Sequence, residues 1–169
     1  MKAKDLIIAD ISNESPLWAG LPEAETLAQV ALAKAAAFCG KKLLAGAEVS
    51  LLLTDDATIR ELNRNWRKID KATNVLSFPA SSPEKLAKAF LLGDIVIAYE
   101  TLAREALDEA KPLADHFSHL VVHGFLHLIG YDHETPAEAE AMESLEILIL
   151  KNLDIADPYA NADVVDAHK

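Results

Sequence analysis

His123-Gly-Phe-Leu-His127-Leu-Ile-Gly130-Tyr-Asp-His133 is the stretch on which the reading of this chain turns. It closes a long apolar run, and a helix from Leu113 to Ile129 ended by Gly130 is expected there. Histidines at i and i+4 lie about 40° apart around a helix and one turn apart along it, so both imidazoles reach one ion. Glycine takes the left-handed conformation that ends a helix and reverses the chain. A turn at Gly130 therefore swings His133 back towards the first two histidines. Three neutral imidazoles leave the fourth position of a tetrahedral ion open, as catalytic zinc sites do and structural ones do not. The expected cofactor is Zn2+, with His123, His127 and His133 as its ligands, although imidazole sites also accept other first-row metals.

The spacing matches the metzincin peptidase pattern His-Glu-x-x-His-x-x-Gly-x-x-His with one difference. Gly124 stands where those peptidases carry the glutamate general base. The cage is present and the base is missing from its usual place. That favours hydrolysis of something other than a peptide bond, or a base supplied from elsewhere. His119 lies one turn before His123, but positions 119 and 127 diverge by about 80° around the helix. His119 is thus expected to support the ligands or the core, and His116 to pack or face solvent. Asp132 has two open readings: a carboxylate that orients a ligand imidazole or accepts a proton, or a turn residue.

Outward from this segment, strands alternate with helices. Leu6–Ile11, Glu48–Leu53, Asn74–Phe78 and Ile95–Ala98 read as strands, a loop with Pro16 and Gly20 follows the first, and Ser81, Ser82 and Pro83 mark another. Pro22–Phe38, a helix whose N-cap is supplied by Thr54, Asp55 and Asp56 and which runs to about Trp66, and Glu100–Ala110 read as helices. The last helix is announced by a capping box, with Thr135 at the N-cap, Pro136 at N1 and Glu138 at N3. Met142, Leu145, Ile149 and Leu153 form its apolar stripe. The fold class expected is α/β or α+β: one domain over residues 1–169 with a sheet of about four strands. The acidic, polar tail after Asp154 is expected to be loosely ordered.

A chain of 169 residues suits one such domain. With 51% hydrophobic and 25% charged residues it has the composition of a globular protein, not a disordered one. The single cysteine, Cys39, cannot form an internal disulfide and reads as a small core residue. Neither a signal-peptide pattern nor a membrane-length apolar run is visible, so a cytoplasmic location without membrane association is expected. The net charge of -11 repels nucleic acid as a whole. One stretch runs the other way: Arg60, Arg64, Arg67, Lys68 and Lys71 face only Glu61 and Asp70. Trp66 beside them is expected in the core, with stacking on a base as its other reading.

The histidine segment resembles the signature of the bacterial YbeY endoribonucleases, or ribosomal RNA maturation factors: His-Gly-x-Leu-His-Leu-x-Gly-Tyr-Asp-His. Leu62-Asn63, Trp66-Arg67-Lys68 and Lys71 to Pro79 are similar to a second block of that family, with Trp66 where Tyr is usual and Ala72 where Pro is usual. Leu92 to Ile97 matches a third block. The resemblance covers roughly residues 45 to 159. It implies one zinc on the three histidines, a zincin-like single domain with a mixed sheet of about four strands flanked by helices, and a single-strand-specific endoribonuclease. The activity it implies is maturation of the 3′ end of small-subunit ribosomal RNA and ribosome quality control. The partners it implies are single-stranded rRNA and the small ribosomal subunit with its proteins.

The family's important arginine falls on Arg67. A guanidinium grips a phosphate with two parallel hydrogen bonds, so Arg67 is expected in catalysis and substrate binding, with Lys68 and Lys71 in substrate binding and Asp132 in catalysis. Two other readings stay open: a metallopeptidase-like hydrolase, and a non-catalytic zinc-containing ribosome-assembly factor.

Overall fold

Short apolar segments that alternate between two faces build one sheet. In the computed structural model, which describes residues 7–160, the strands are β1 (Ile7–Asn13), β2 (Ala47–Thr54), β3 (Val75–Pro79) and β4 (Leu91–Ala98). Their order across the sheet is β1-β2-β4-β3. β1 runs parallel to β2 and β2 to β4, while β3 lies antiparallel to β4 on the edge, Ser77 opposite Ile95. This is the mixed four-stranded sheet expected from the sequence. Its helices are α1 (Ala24–Phe38), α2 (Asp56–Arg67), α3 (Tyr99–Asp108), α4 (Leu113–Leu128) and α5 (Pro136–Lys151).

Alternation in β4 divides the interior. Ile95 and Ile97 point into the main core with residues of α1 and α4, and Val96 and Ala98 join Ile59 and Leu76 in a smaller cluster under α2. α4 is apolar around most of its circumference because it is packed on most sides. It touches α1, α3, α5, β3 and β4. Phe117, Val121, Val122, Phe125 and Leu126 are buried along it. The histidine helix is thus the most enclosed helix of the fold, and its C-terminal end opens beside edge strand β3.

Several local expectations meet a different outcome. The segments around Pro16 and Pro83 are 3-10 turns, Pro16–Gly20 and Pro83–Lys88. Proline pre-sets φ for a first turn in each, and the Ser15 hydroxyl accepts the Leu17 N–H in the first. Trp66 is not in the core: it is 70% exposed, at the end of α2. The chain after Asp154 is held as far as residue 160. Ile155 packs against the core, Lys111 Nζ donates to the Pro158 carbonyl at 3.1 Å, and the Tyr159 hydroxyl donates to Glu146 at 2.7 Å. Two anchoring side chains among the acidic ones account for this order. Leu6 of the expected first strand, and residues 161–169 of the tail, lie outside the described residues. Cys39 is buried and free. No helix among the described residues is long and apolar enough to cross a membrane.

Candidate metal centre

His123 and His127 occupy one face of the last two turns of α4, with ring centroids 4.7 Å apart. Gly130 then adopts φ +104°, a conformation that L side chains rarely take. The turn is tied by the Gly130 N–H to the His127 carbonyl and the Tyr131 N–H to the Leu126 carbonyl. Tyr131 anchors it from the other side by donating to the Cys39 carbonyl at the end of α1. The reversed chain brings the His133 ring to 5.1 Å from His127 and 5.9 Å from His123. One ring nitrogen from each of the three lies within 4.8 Å of the other two. That donor set suits a single imidazole-bound cation.

The electrostatics prepare the same nitrogens. Burial first, and then the charges of His123 and His133, hold the His127 pKa down to about 4. His127 is therefore neutral near pH 7, with a lone pair to offer. Glu146, on α5, is 1% exposed. It receives His119 Nε2 at 2.6 Å and His123 Nδ1 at 3.0 Å. Burial alone pushes its carboxyl up, but those two hydrogen bonds and the histidine charges outweigh it and leave the pKa at about 2. Burial and the Glu146 carboxylate together push the Tyr159 phenol well above its ordinary value.

Gly124 explains the missing peptidase base. A Cβ there would stand 2.9 Å from Ile95 Cγ2 and 3.2 Å from Ser77 Oγ. The helix backbone lies directly on the sheet at this point, and Ser77 Oγ donates to the Gly124 carbonyl at 3.0 Å. A side chain at position 124 would have to displace the Ile95 and Ser77 side chains packed against it, so a glutamate has no ready room there.

A cleft of about 530 Å3 holds His123, His127, His133, Asp132 and Arg67 together. Arg67 reaches it from the last residue of α2. Its Nη2 donates to the Ser77 carbonyl at 2.5 Å and its guanidinium lies 5.4 Å from the Phe78 ring centre. Asp132 lines the cleft, but its Oδ1 accepts the N–H of His133 at 2.8 Å, a turn contact rather than a grip on an imidazole. Lys68 and Lys71 lie outside the cleft's lining: Lys68 Nζ points to the Asn65 carbonyl at 3.5 Å, and Lys71 borders a shallow groove with Arg60 and Asp70. Arg60 is paired with Asp70 at 2.8 Å. His116 is buried against Glu105 at 2.9 Å.

Sequence reasoning missed Glu146 and Tyr159. Glu146 carried a signal: it is an acidic residue at i+4 from Met142 and i−3 from Ile149, inside the apolar stripe of α5. A charge on a core-facing position needs a partner. Tyr159 carried none, because its contact depends on how the tail docks.

Residues 12–154 match the family described as Endoribonuclease YbeY. An "Endoribonuclease YbeY" of Methylocella silvestris is 51% identical over 152 residues, 90% of this chain and 85% of that protein. Its counterpart in a Rhodopseudomonas palustris strain is 54% identical over 164 residues, 95% of this chain and 94% of that one. A Thermotoga maritima protein solved in solution shares the fold, with TM-score 0.53 and 21% identity over 89% of this chain and 98% of its own.

Proposed function

The chain belongs to the YbeY family of endoribonucleases, and from that premise we propose that it is a zinc-dependent, single-strand-specific endoribonuclease. Its proposed work is maturation of the 3′ end of small-subunit ribosomal RNA and ribosome quality control, on the small subunit and beside its proteins. The observation that carries the reading is the convergence of three imidazoles and one guanidinium on a single open cleft.

In this reading His123, His127 and His133 hold the ion. Zinc bound there would act as a Lewis acid on a phosphoryl oxygen and lower the pKa of water. Arg67 grips a non-bridging phosphate oxygen of the scissile linkage and shares the charge that develops on it. Its tether to the Ser77 carbonyl holds the guanidinium at the cleft wall, so the group arrives pre-oriented. Asp132 accepts the proton of the attacking hydroxyl with the oxygen that its turn does not use. Lys68 and Lys71 sit outside the cleft and act on phosphates further along the strand. Trp66, exposed beside Arg67, offers a face for an unstacked base. The peptidase alternative loses its base at Gly124, where the sheet leaves no space. A structural zinc site closes with four protein ligands, and this one draws three histidines to an open cleft.

The test is cleavage of single-stranded RNA carrying the 3′ end of small-subunit ribosomal RNA. Wild type is compared with His127→Ala, Arg67→Ala and a chelator control. Wild type cleaves, while His127→Ala and the chelator abolish cleavage. Arg67→Ala slows it by roughly 10²–10³, the usual cost of one charge-stabilising group. Cleavage that persists in His127→Ala would belong to a contaminant and remove the support for a metal-dependent nuclease. The product ends then identify the nucleophile: a 2′,3′-cyclic phosphate means attack by the RNA 2′-hydroxyl, not by water.

A further inference from the structure

Burying an ionised carboxylate is unfavourable unless hydrogen-bond donors surround it. Glu146 has three. His119 Nε2 and the Tyr159 hydroxyl both reach Oε1, at 2.6 and 2.7 Å, and His123 Nδ1 reaches Oε2 at 3.0 Å. The first two occupy one oxygen and stop the carboxylate from turning, which leaves the other oxygen for His123. An ionised carboxylate only accepts, so the proton of His123 must sit on Nδ1. Nε2 is then the nitrogen with a free lone pair, and the ring is held in one orientation.

The atoms of His119, His123 and Glu146 also lie close enough to resemble a second cation site. The distances argue against that. Two ligands each about 2.0 Å from one tetrahedral ion stand roughly 3.3 Å apart, whereas His119 Nε2 and Glu146 Oε1 are 2.6 Å apart and share a proton.

We propose that Glu146, braced by Tyr159, is a positioning residue that fixes the tautomer and orientation of His123, and that zinc affinity therefore depends on docking of the C-terminal segment against α5. The inference rests on the reading of His123, His127 and His133 as metal ligands. Tyr159 belongs to the stretch after α5 that is pinned by Ile155 against the core and by Lys111 on the Pro158 carbonyl. A residue remote from the histidines in sequence thus acts on them through one carboxylate.

Two measurements on the full chain test this. Zinc affinity is read by competition with a chromophoric chelator in wild type, Glu146→Gln, Tyr159→Phe and His127→Ala. The imidazole tautomers of the metal-free proteins are read from long-range ¹H–¹⁵N spectra. Wild type takes up one zinc, and His123 shows the Nδ1–H form. Glu146→Gln weakens zinc binding by roughly ten- to a hundredfold, as loss of such a partner does, and mixes the two tautomers of His123. Tyr159→Phe, which removes one hydroxyl and keeps the ring, moves both readouts in the same direction by less. It keeps the idea testable should Glu146→Gln not fold. Unchanged zinc affinity in both variants, or an unaltered Nδ1–H form in Glu146→Gln, overturns the proposal. If wild type binds no better than His127→Ala, the three-histidine site itself is wrong, independently of Glu146.

Discussion

His127 sits within the packed end of α4, and its surroundings decide its charge. Burial, then the neighbouring His123 and His133, lower its pKa from 6.5 to about 4. A histidine with a depressed folded-state pKa is protonated first in the unfolded chain, so between those values the unfolded state binds more protons. Stability of the metal-free protein is then fully present above about pH 6.5 and is lost as pH falls towards 4. Thermal unfolding followed from pH 4 to 7 should show the melting temperature rising through that window, and His127→Ala should flatten the rise. Glu146 acts in a lower window. Its pKa falls from 4.5 to about 2, so its contribution is present above about pH 4.5 and disappears on the way down to 2. A rise above pH 4.5 that survives unchanged in His127→Ala would contradict the assignment to His127.

Between elements, the contact that matters most is α4 against β3 and β4. Gly124 lets the helix lie on the sheet, and this closeness sets the histidines beside the edge strand that carries Ser77 and faces Arg67. Alanine in a helix interior is favoured over glycine by about 1 kcal/mol. Here the added methyl meets the Cγ2 methyl of the fully buried Ile95 at 2.9 Å. Overpacking of this kind costs about 1–3 kcal/mol, so Gly124→Ala should be a net loss of about 1 kcal/mol. Denaturant unfolding of the variant checks it. A stabilised Gly124→Ala would mean that helix and sheet are less tightly apposed than this geometry requires.

At the scale of the whole molecule, a net charge of -11 faces a polyanionic substrate. Few cations reach the cleft: Arg67 lines it, Arg60 is held by Asp70, and Lys68 and Lys71 lie beyond its rim. Binding to bare single-stranded RNA should therefore be weak at physiological salt. Its dependence on salt should be shallow, with a slope of log K against log salt near −2, as expected for about three neutralised phosphates at roughly −0.7 each. Fluorescence anisotropy with labelled RNA over a range of salt measures it. Tight binding with a steep slope would require a basic surface that the cleft lacks. Weak intrinsic affinity of this kind is what the proposed recruitment to the small ribosomal subunit would have to overcome.

The sequence alone determined the local features. The i, i+4 histidines with Gly130 and His133 predicted the three clustered imidazoles, because helix geometry and one left-handed turn fix their relation over eleven residues. Thr135 to Glu138 marked the start of α5, because a capping box acts within four residues. Alternating apolar runs marked the strands. Only the tertiary structure decided what depends on residues far apart in the chain. It showed why glycine suits position 124, which required the distance to Ile95. It brought Arg67 to the histidines and left Lys68 and Lys71 outside. It exposed Trp66, because α2 covers only part of its face of the sheet. It joined Glu146, His119, His123 and Tyr159 in one network. Local pattern records which way a side chain faces along its own element; what it meets there is set by packing of elements against each other, and no short-range spacing encodes that.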